Sequence, residues 1–464
     1  MQNNYNPRNI LLYVLFIFML IISLSFYILH SDLYALISLF FYYTILRWLI
    51  LRFAENEDER KHVLNLFHIA LVLRLFWVFI GINWRGFDYN YLHQDALGYD
   101  ILAKEFIEYI FGESSAWLTN PATYRAKGFN AYMGFIYLLF NNSVFVVLIG
   151  NAFLGSASVS FIYLVGKRTF NENTGKIAGI LVLLFLPVII LNATLLKESL
   201  VFFLVSYILL LVVESQQKKS LSKFIELLLI LLWLYFTRIY YAFFFLPVLG
   251  FIIFSSFPQK KRIYGLALFV ILISAVIYQE SQTPASVTLI AMTQTGWFRY
   301  TGDAAIDKAQ GAAALIGLIQ NPSLIINSVI RGTFYLFFKP VYFYIQGITI
   351  PGNVAILQAS WTLISAIIWV LIPGIIWAFI YCITKLRTQT FFIYSFLIIA
   401  IPFFGLKDVT YRYKIGVYAI IILLAAVGLD NRKKWLAWAP FYLLLVIVVT
   451  IVMLDKKLHL LGIF

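Results

Sequence analysis

Charge is scarce in this chain. Of its 464 residues only 12% are Asp, Glu, Lys or Arg, about half the share found in a soluble globular domain. That scarcity excludes a water-soluble enzyme, and it equally excludes a disordered chain, which would be charged and poor in apolar residues. Cysteine is almost absent. The single Cys382 excludes a disulfide framework and any metal centre built from thiolates. The five histidines show no metal-ligand spacing. No Walker loop and no GxGxxG is present, so ATP-driven transport and nucleotide-cofactor chemistry have no support. Low-complexity tracts and repeats of about 20–50 residues are missing as well.

What is there is apolar: 62% of the residues are hydrophobic and 18% aromatic. A helix needs about 20 mainly apolar residues to cross the hydrocarbon core. About 13 runs meet this description. Three come first, at Ile10–His30, Leu33–Leu51 and Val63–Asn83. Six follow a long loop, at Asn142–Val165, Ile177–Thr194, Glu198–Val213, Phe224–Phe236, Ile239–Phe257 and Ile263–Gln279. The last four are Leu357–Thr384, Thr390–Phe404, Tyr413–Leu429 and Trp435–Leu454. Very short turns separate two of the pairs, near residues 194–198 and 236–239. The expectation is an all-α polytopic membrane protein in a single membrane domain, residues 1–464. Its first run is too long for a signal-peptide core and reads as a retained span.

The net charge of +14 would suggest nucleic acid in a soluble protein. In a membrane protein it first reports topology, and no nucleic-acid partner is read from it. With the N-terminus in the cytoplasm, nineteen of the 35 cations fall on cytoplasmic ends and loops, nearly all short. Fifteen fall on the other side and Arg74 lies within a span. Short-loop clusters set orientation, so the expected arrangement is N-terminus inside and C-terminus outside.

Two long loops then face outward, residues 84–141 and 280–355. In the first, Ala96–Phe111 places Leu97, Ile101, Leu102, Phe106, Ile107 and Ile110 largely on one face and Asp100, Lys104, Glu105 and Glu108 opposite, the pattern of an interfacial helix. Ala312–Phe338 repeats the idea around Asn321-Pro322. Such helices either shield the end of the bundle or wall a cavity at the outer leaflet.

The stretch His93-Gln94-Asp95-Ala96-Leu97-Gly98-Tyr99-Asp100 puts Asp95 where that first helix begins. A helix N-terminus favours an ionised carboxylate, so Asp95 is either a cap or a catalytic group. Leu196-Lys197-Glu198-Ser199 carries a Lys-Glu pair between two very apolar spans, an expensive position near a membrane. The pair either snorkels to the headgroups or supplies a second acid facing Asp95, with Lys197 ready for an anion. Further cations with tyrosine beside them occur at Arg238-Ile239-Tyr240, Arg299-Tyr300 and Tyr411-Arg412-Tyr413-Lys414. Tyrosine and arginine are also ordinary interface residues. Several guanidinium groups on one side nevertheless suit a phosphate-bearing lipid. Arg74 either pairs within the bundle or snorkels. Asn192-Ala193-Thr194 matches a glycosylation acceptor but is pressed against a span.

Taken in order, these pieces resemble a known group. They are an outside loop bearing an Asp followed by Tyr and an interfacial helix, a Gly-Lys-Arg-Thr-Phe cytoplasmic turn (Gly166–Phe170), a Leu-Leu-Lys-Glu-Ser outside turn and a late Tyr-Arg-Tyr-Lys. The order is similar to that of the GT-C membrane glycosyltransferases, in particular the bacterial family 39 and protein mannosyltransferase-like group, over roughly Val63 to Leu429. Two spans precede the Asp-bearing one as an extra here. Asp95 is followed by Ala96 rather than a second acid, which leaves use of a divalent cation open.

The resemblance implies transfer of a sugar from a polyprenyl-(di)phosphate donor to a glycan, lipid or protein acceptor, at the outer face of a bacterial plasma membrane, with inversion. It implies Asp95 as the base, with Glu198 orienting the acceptor or holding a cation. Lys197, Arg238, Arg299 and Arg412 would then hold the lipid phosphate, with His93 and Tyr99 beside the substrate. Two other readings stay open: a polysaccharide polymerase or ligase, and a transporter or flippase of a lipid-linked saccharide. Transporters favour internal repeats and spans broken near the midplane.

Overall fold

The computed structural model describes residues 21, 32–85, 94–115, 117, 126–218, 220–256, 329, 352–385, 390–406, 414–438 and 440. Every regular element among them is a helix, and the protein is an all-α polytopic membrane protein. In chain order, the helices before the first short turn are α1 (Leu33–Leu51), α2 (Glu57–Arg85), α3 (Gln94–Ile110), α4 (Lys127–Leu139), α5 (Val144–Thr169), α6 (Glu172–Leu183) and α7 (Leu186–Asn192). After it come α8 (Glu198–Lys218), α9 (Leu221–Thr237), α10 (Ile239–Phe244) and α11 (Leu246–Ser256). The remainder are α12 (Gly352–Lys385), α13 (Phe391–Leu406), α14 (Ile415–Asp430) and the short α15 (Arg432–Trp435). The spans expected at Ile10–His30 (Ile21 apart), Ile263–Gln279 and most of Trp435–Leu454 lie outside the described residues. So does nearly all of the 280–355 loop.

Polar residues start the helices where the apolar runs begin. Asp32 caps α1 by accepting from the Tyr34 and Ala35 amides at 2.9 and 3.2 Å. Ser143 caps α5, and its hydroxyl donates to the other Asp32 oxygen, so the first turns of α1 and α5 are tied at one end of the bundle. Asn171 caps α6 through the Thr174 amide at 2.8 Å. Capping side chains satisfy amides that a helix start leaves without partners.

Four described helices, α1, α2, α5 and α8, are long and apolar enough to span a bilayer. α8 is buried from Glu198 to Ser215 and α5 nearly throughout, whereas α1 buries only a minor part. The centre is therefore α5 against α2, α6 and α8, with α14 packed on α6, α8 and α12. Small residues along α5, including Gly150, Ala152, Gly155, Ser156, Ala157 and Ser160, allow the close approach that substitutes for the hydrophobic effect between helices in lipid.

The single span expected over Ile177–Thr194 is instead a broken one. α6 and α7 meet at a 53° bend. Pro187 stands in the first turn of α7, where its missing N–H is tolerated, whereas in a continuous helix it would remove a bond and clash with the preceding turn. Within Ile239–Phe257 a one-residue interruption at Phe245, just before Pro247, separates α10 from α11.

The Gly166–Phe170 turn, at the end assigned to the cytoplasm by the cation pattern, is a buried charge node. Lys167 Nζ lies 3.0 Å from Glu59 Oε1. Arg168 pairs with Glu214, lies 3.9 Å from Glu59 and 3.8 Å from Glu55, and donates to the Phe53 carbonyl. One turn thereby fastens α2, α5 and α8 together.

Candidate functional site

The two short turns seen in the sequence meet at the other end of the bundle. Turn residues Ala193–Lys197 join α7 to α8, and all of them are buried. Asn151 of α5 donates to the Thr194 carbonyl at 2.8 Å, while Thr194 and Ser199 hydroxyls both donate to the Leu191 carbonyl. Each of these bonds replaces one that the interrupted helix gave up.

Glu198 opens α8, in the first turn where a carboxylate is favoured. It is 1% exposed, and its Oε1 accepts from Arg238 Nη2. Its Oε2 meets no donor among the described residues. Arg238 sits in extended backbone between α9 and α10, 6% exposed, with Nη1 donating to the Tyr240 hydroxyl at 2.8 Å. The α9–α10 break is pinned from α4. A Cβ on Gly128 would stand 2.5 Å from Thr237 Oγ1, and the Trp233 indole donates to the Gly128 carbonyl at 3.2 Å. Lys197 is 7% exposed, and its ammonium lies over the Tyr99 ring at 5.3 Å, a cation–π distance. Tyr99 in turn meets the Phe129 ring edge-on at 5.3 Å.

Tyr99, Lys197, Glu198 and Arg238 thus converge, from α3, the α7–α8 turn and the α9–α10 break. Asp95 lies in the first turn of α3, one helical turn before Tyr99, which brings the stretch singled out in the sequence to this turn. The Asp95 side chain lies outside the described set, as do His93, Arg299 and Arg412. Lys197 and Glu198 do not snorkel to the surface. Both are buried, with Glu198 paired to a guanidinium from another helix.

Three further placements differ from the sequence reading. On α3 the predicted apolar stripe is divided: Leu102 is buried and Phe106 and Ile107 are half-buried, whereas Leu97, Ile101 and Ile110 are exposed; of the opposite side Asp100 is buried and Lys104 and Glu108 are exposed. Asp100 accepts from Tyr137 of α4 at 2.5 Å and from Lys104 at 3.0 Å. Asp100 turns inward because α4 supplies its partner. Arg74 does not snorkel: it is fully buried, and among the described residues it has one bond, to the Ala70 carbonyl at 3.2 Å, and no ion pair. Asn192 is 1% exposed, out of reach of any glycosylating enzyme in the folded chain.

Sequence reasoning overlooked Tyr240 and Tyr241 as site members. The Gly416 amide at the head of α14 donates to the Tyr241 hydroxyl at 2.8 Å, and the Tyr240 and Tyr241 rings lie 4.7 Å apart. The buried Lys414, last residue of Tyr-Arg-Tyr-Lys, stands two residues before Gly416. A Tyr-Tyr pair directly after a charged helix break was the available signal. No group of three His, Cys, Asp or Glu side chains fit to hold a metal occurs among the described residues.

No curated protein matches the chain. Residues 127–278, which contain α4 to α11 and both short turns, match the family described as dolichyl-phosphate-mannose-protein mannosyltransferase, and that match supports a membrane glycosyltransferase of the GT-C type.

Proposed function

We propose that the protein transfers a sugar from a polyprenyl-(di)phosphate donor to an acceptor at the extracytoplasmic face, for assembly of a surface polysaccharide or glycoconjugate. The observation that carries this reading is the meeting of buried charged groups where two helix breaks stack: Lys197 and Arg238 are buried beside Glu198, with Lys197 over the Tyr99 ring and Arg238 on the Glu198 carboxylate. Ionisable groups held within a membrane protein are functional by default, and ammonium and guanidinium groups gathered at one place suit a phosphate. A lipid phosphate is one such group, and apolar helices around the site suit the chain attached to it.

The acceptor hydroxyl oxygen attacks the anomeric carbon, and its proton passes to the Asp95 carboxylate as the base. The bond from the anomeric carbon to the phosphate oxygen breaks, and its electron pair leaves with the lipid phosphate. Lys197 and Arg238, with Arg412 and Arg299, oppose the charge that grows there. Attack from the face opposite the leaving group inverts the anomeric centre. Glu198 holds Arg238 and keeps its fork oriented. Tyr99 and His93 border the substrate.

The test uses the full chain in sealed proteoliposomes with a radiolabelled polyprenyl-phosphate sugar and a membrane extract as acceptor source. The wild type is expected to give labelled product, and Asp95→Asn is expected to insert normally and give none. Full activity in Asp95→Asn overturns the base assignment. Movement of labelled lipid across the membrane with no covalent product overturns the transferase reading in favour of a flippase.

A further inference from the structure

Arg74 is the charge that the described contacts explain least. It lies in α2, completely buried, and no ion pair among the described residues includes it. Its Nη1 has the Ala70 carbonyl, but Nε and Nη2 meet no acceptor among the described residues. Directly beside it is Asn192, 1% exposed, whose Oδ1 and Nδ2 likewise meet no partner among them. Gly155 of α5 makes room for both. A Cβ there would stand 1.6 Å from Asn192 Nδ2 and 3.0 Å from Arg74 Nε, so the two nitrogens are separated by at most the sum of those distances.

An amide turned end for end keeps its shape. In that orientation the Asn192 oxygen faces the guanidinium, so an Arg74 N–H has an acceptor on its side. Asn192 is also the last residue of α7, and the next five residues are the turn that leads to Glu198. Asn151 holds the same turn at Thr194 from α5. Arg74 therefore stands in a buried polar layer beneath the site, where an apolar side chain of similar length would pack without desolvating a charge.

We propose that Arg74 is a positioning residue: it grips Asn192 and through it sets the turn that presents Lys197 and Glu198, at some expense in stability. The functional half of this inference rests on the reading of the site as a lipid-phosphate site. A residue kept for stability would lower the melting temperature when removed. A buried charge without a counter-charge is expected to do the reverse or nothing, because replacing buried ions by apolar groups is often neutral or stabilising.

The experiment compares wild type, Arg74→Met, Arg74→Lys, Asn192→Leu and the reference Lys197→Gln in nanodiscs. Three readouts are taken: melting temperature, hydrogen exchange of the 193–198 amides, and affinity for polyprenyl phosphate as the probe. Arg74→Met is expected to melt no lower than wild type, to exchange at least tenfold faster in 193–198 and to bind the probe at least tenfold more weakly. Arg74→Lys should recover most of the affinity, and Asn192→Leu should share the exchange change. Unchanged exchange in 193–198 overturns the proposal, as does a fall in melting temperature with unchanged affinity. Should the wild type bind the probe no better than Lys197→Gln, the lipid-phosphate reading fails. The exchange data then still decide whether Arg74 positions the turn.

Discussion

The Glu198–Arg238 pair gives the sharpest test of how the site is held. Its two side chains are 1% and 6% exposed, so neither charge has water to fall back on. Removing one partner of a buried pair leaves the other uncompensated and costs about 3–5 kcal/mol. Arg238→Met should fall in this range, because Glu198 Oε2 has no donor among the described residues and Oε1 would lose its own. The N-terminus of α8 would offset roughly 1 kcal/mol of that at most. Glu198→Leu should cost less, since Arg238 retains the Tyr240 hydroxyl. The double substitution Glu198→Leu with Arg238→Met removes both charges, and buried pairs replaced by apolar groups are often neutral. It should therefore be more stable than Arg238→Met alone, with a coupling of at least about 2 kcal/mol in a double-mutant cycle. The exposed pair Arg60–Glu57, at 50% and 72% exposure, is the control, and Arg60→Gln should cost under about 1 kcal/mol. Unfolding by SDS titration in mixed micelles reads all of these. If the two single effects simply add, or if Arg238→Met costs no more than Arg60→Gln, the argument from burial is wrong.

Three other outcomes are expected. Lys197→Gln should weaken polyprenyl-phosphate binding by about 10–100-fold, the worth of one charge-assisted hydrogen bond, with no change in helix content by circular dichroism. Tyr137→Phe should destabilise the protein by about 1–3 kcal/mol in the SDS assay, because Asp100 loses the hydroxyl at 2.5 Å and keeps only Lys104. The third concerns Asp430 at the end of α14, whose carboxyl burial alone would raise. The Asn171, Thr174 and Asn173 donors outweigh burial and hold it below the usual carboxylate range. A depressed folded value means that its contribution is complete above about pH 4 and is lost as pH falls further, so Asp430→Asn should flatten the acid limb of a pH–stability curve.

Most of the architecture was legible because lipid imposes one dominant rule, a long apolar run per span. Leu33–Leu51 appears with the expected bounds, and the Ala96–Phe111 pattern corresponds to α3. Hydropathy has no term for direction, however. It could not say which members of the stripe would be covered, Leu102 buried but Leu97 and Ile101 exposed, nor that Asp100 turns inward, since lipid and protein interior are equally apolar. Nor could it separate Ile177–Thr194 into two pieces, because Pro187 is as hydropathically silent as its neighbours. Glu198 and Arg238 are 40 residues apart, and only the stacking of two helix breaks brings them together. Their signal was present as two unusually short turns, each with a charge at its apex. The Gly166–Phe170 turn was noticed for its resemblance to a family pattern, and the structure supplies its physical content as the node joining Lys167 and Arg168 to Glu59 and Glu214.

The break at Pro187 also explains why a polar site can exist here at all. α5 has 26 residues, which at a rise of about 1.5 Å each makes a rod of roughly 39 Å. Asn151, which holds Thr194, lies seven residues from the α5 start, so the turn is set about 10 Å below that end at the same rise. A straight helix through residues 177–194 would have carried its C-terminal turn outward along α5. The 53° bend keeps that turn low. Backbone without helical bonds is tolerated at such depth only where protein or a polar cavity supplies partners, and here Asn151, Thr194 and Ser199 do so. A helix break, its replacement hydrogen bonds and a recessed Lys197-Glu198 pair are thus one device. It carries charges below the level at which snorkelling would have been cheaper, among buried helices where an anion would find few competing waters.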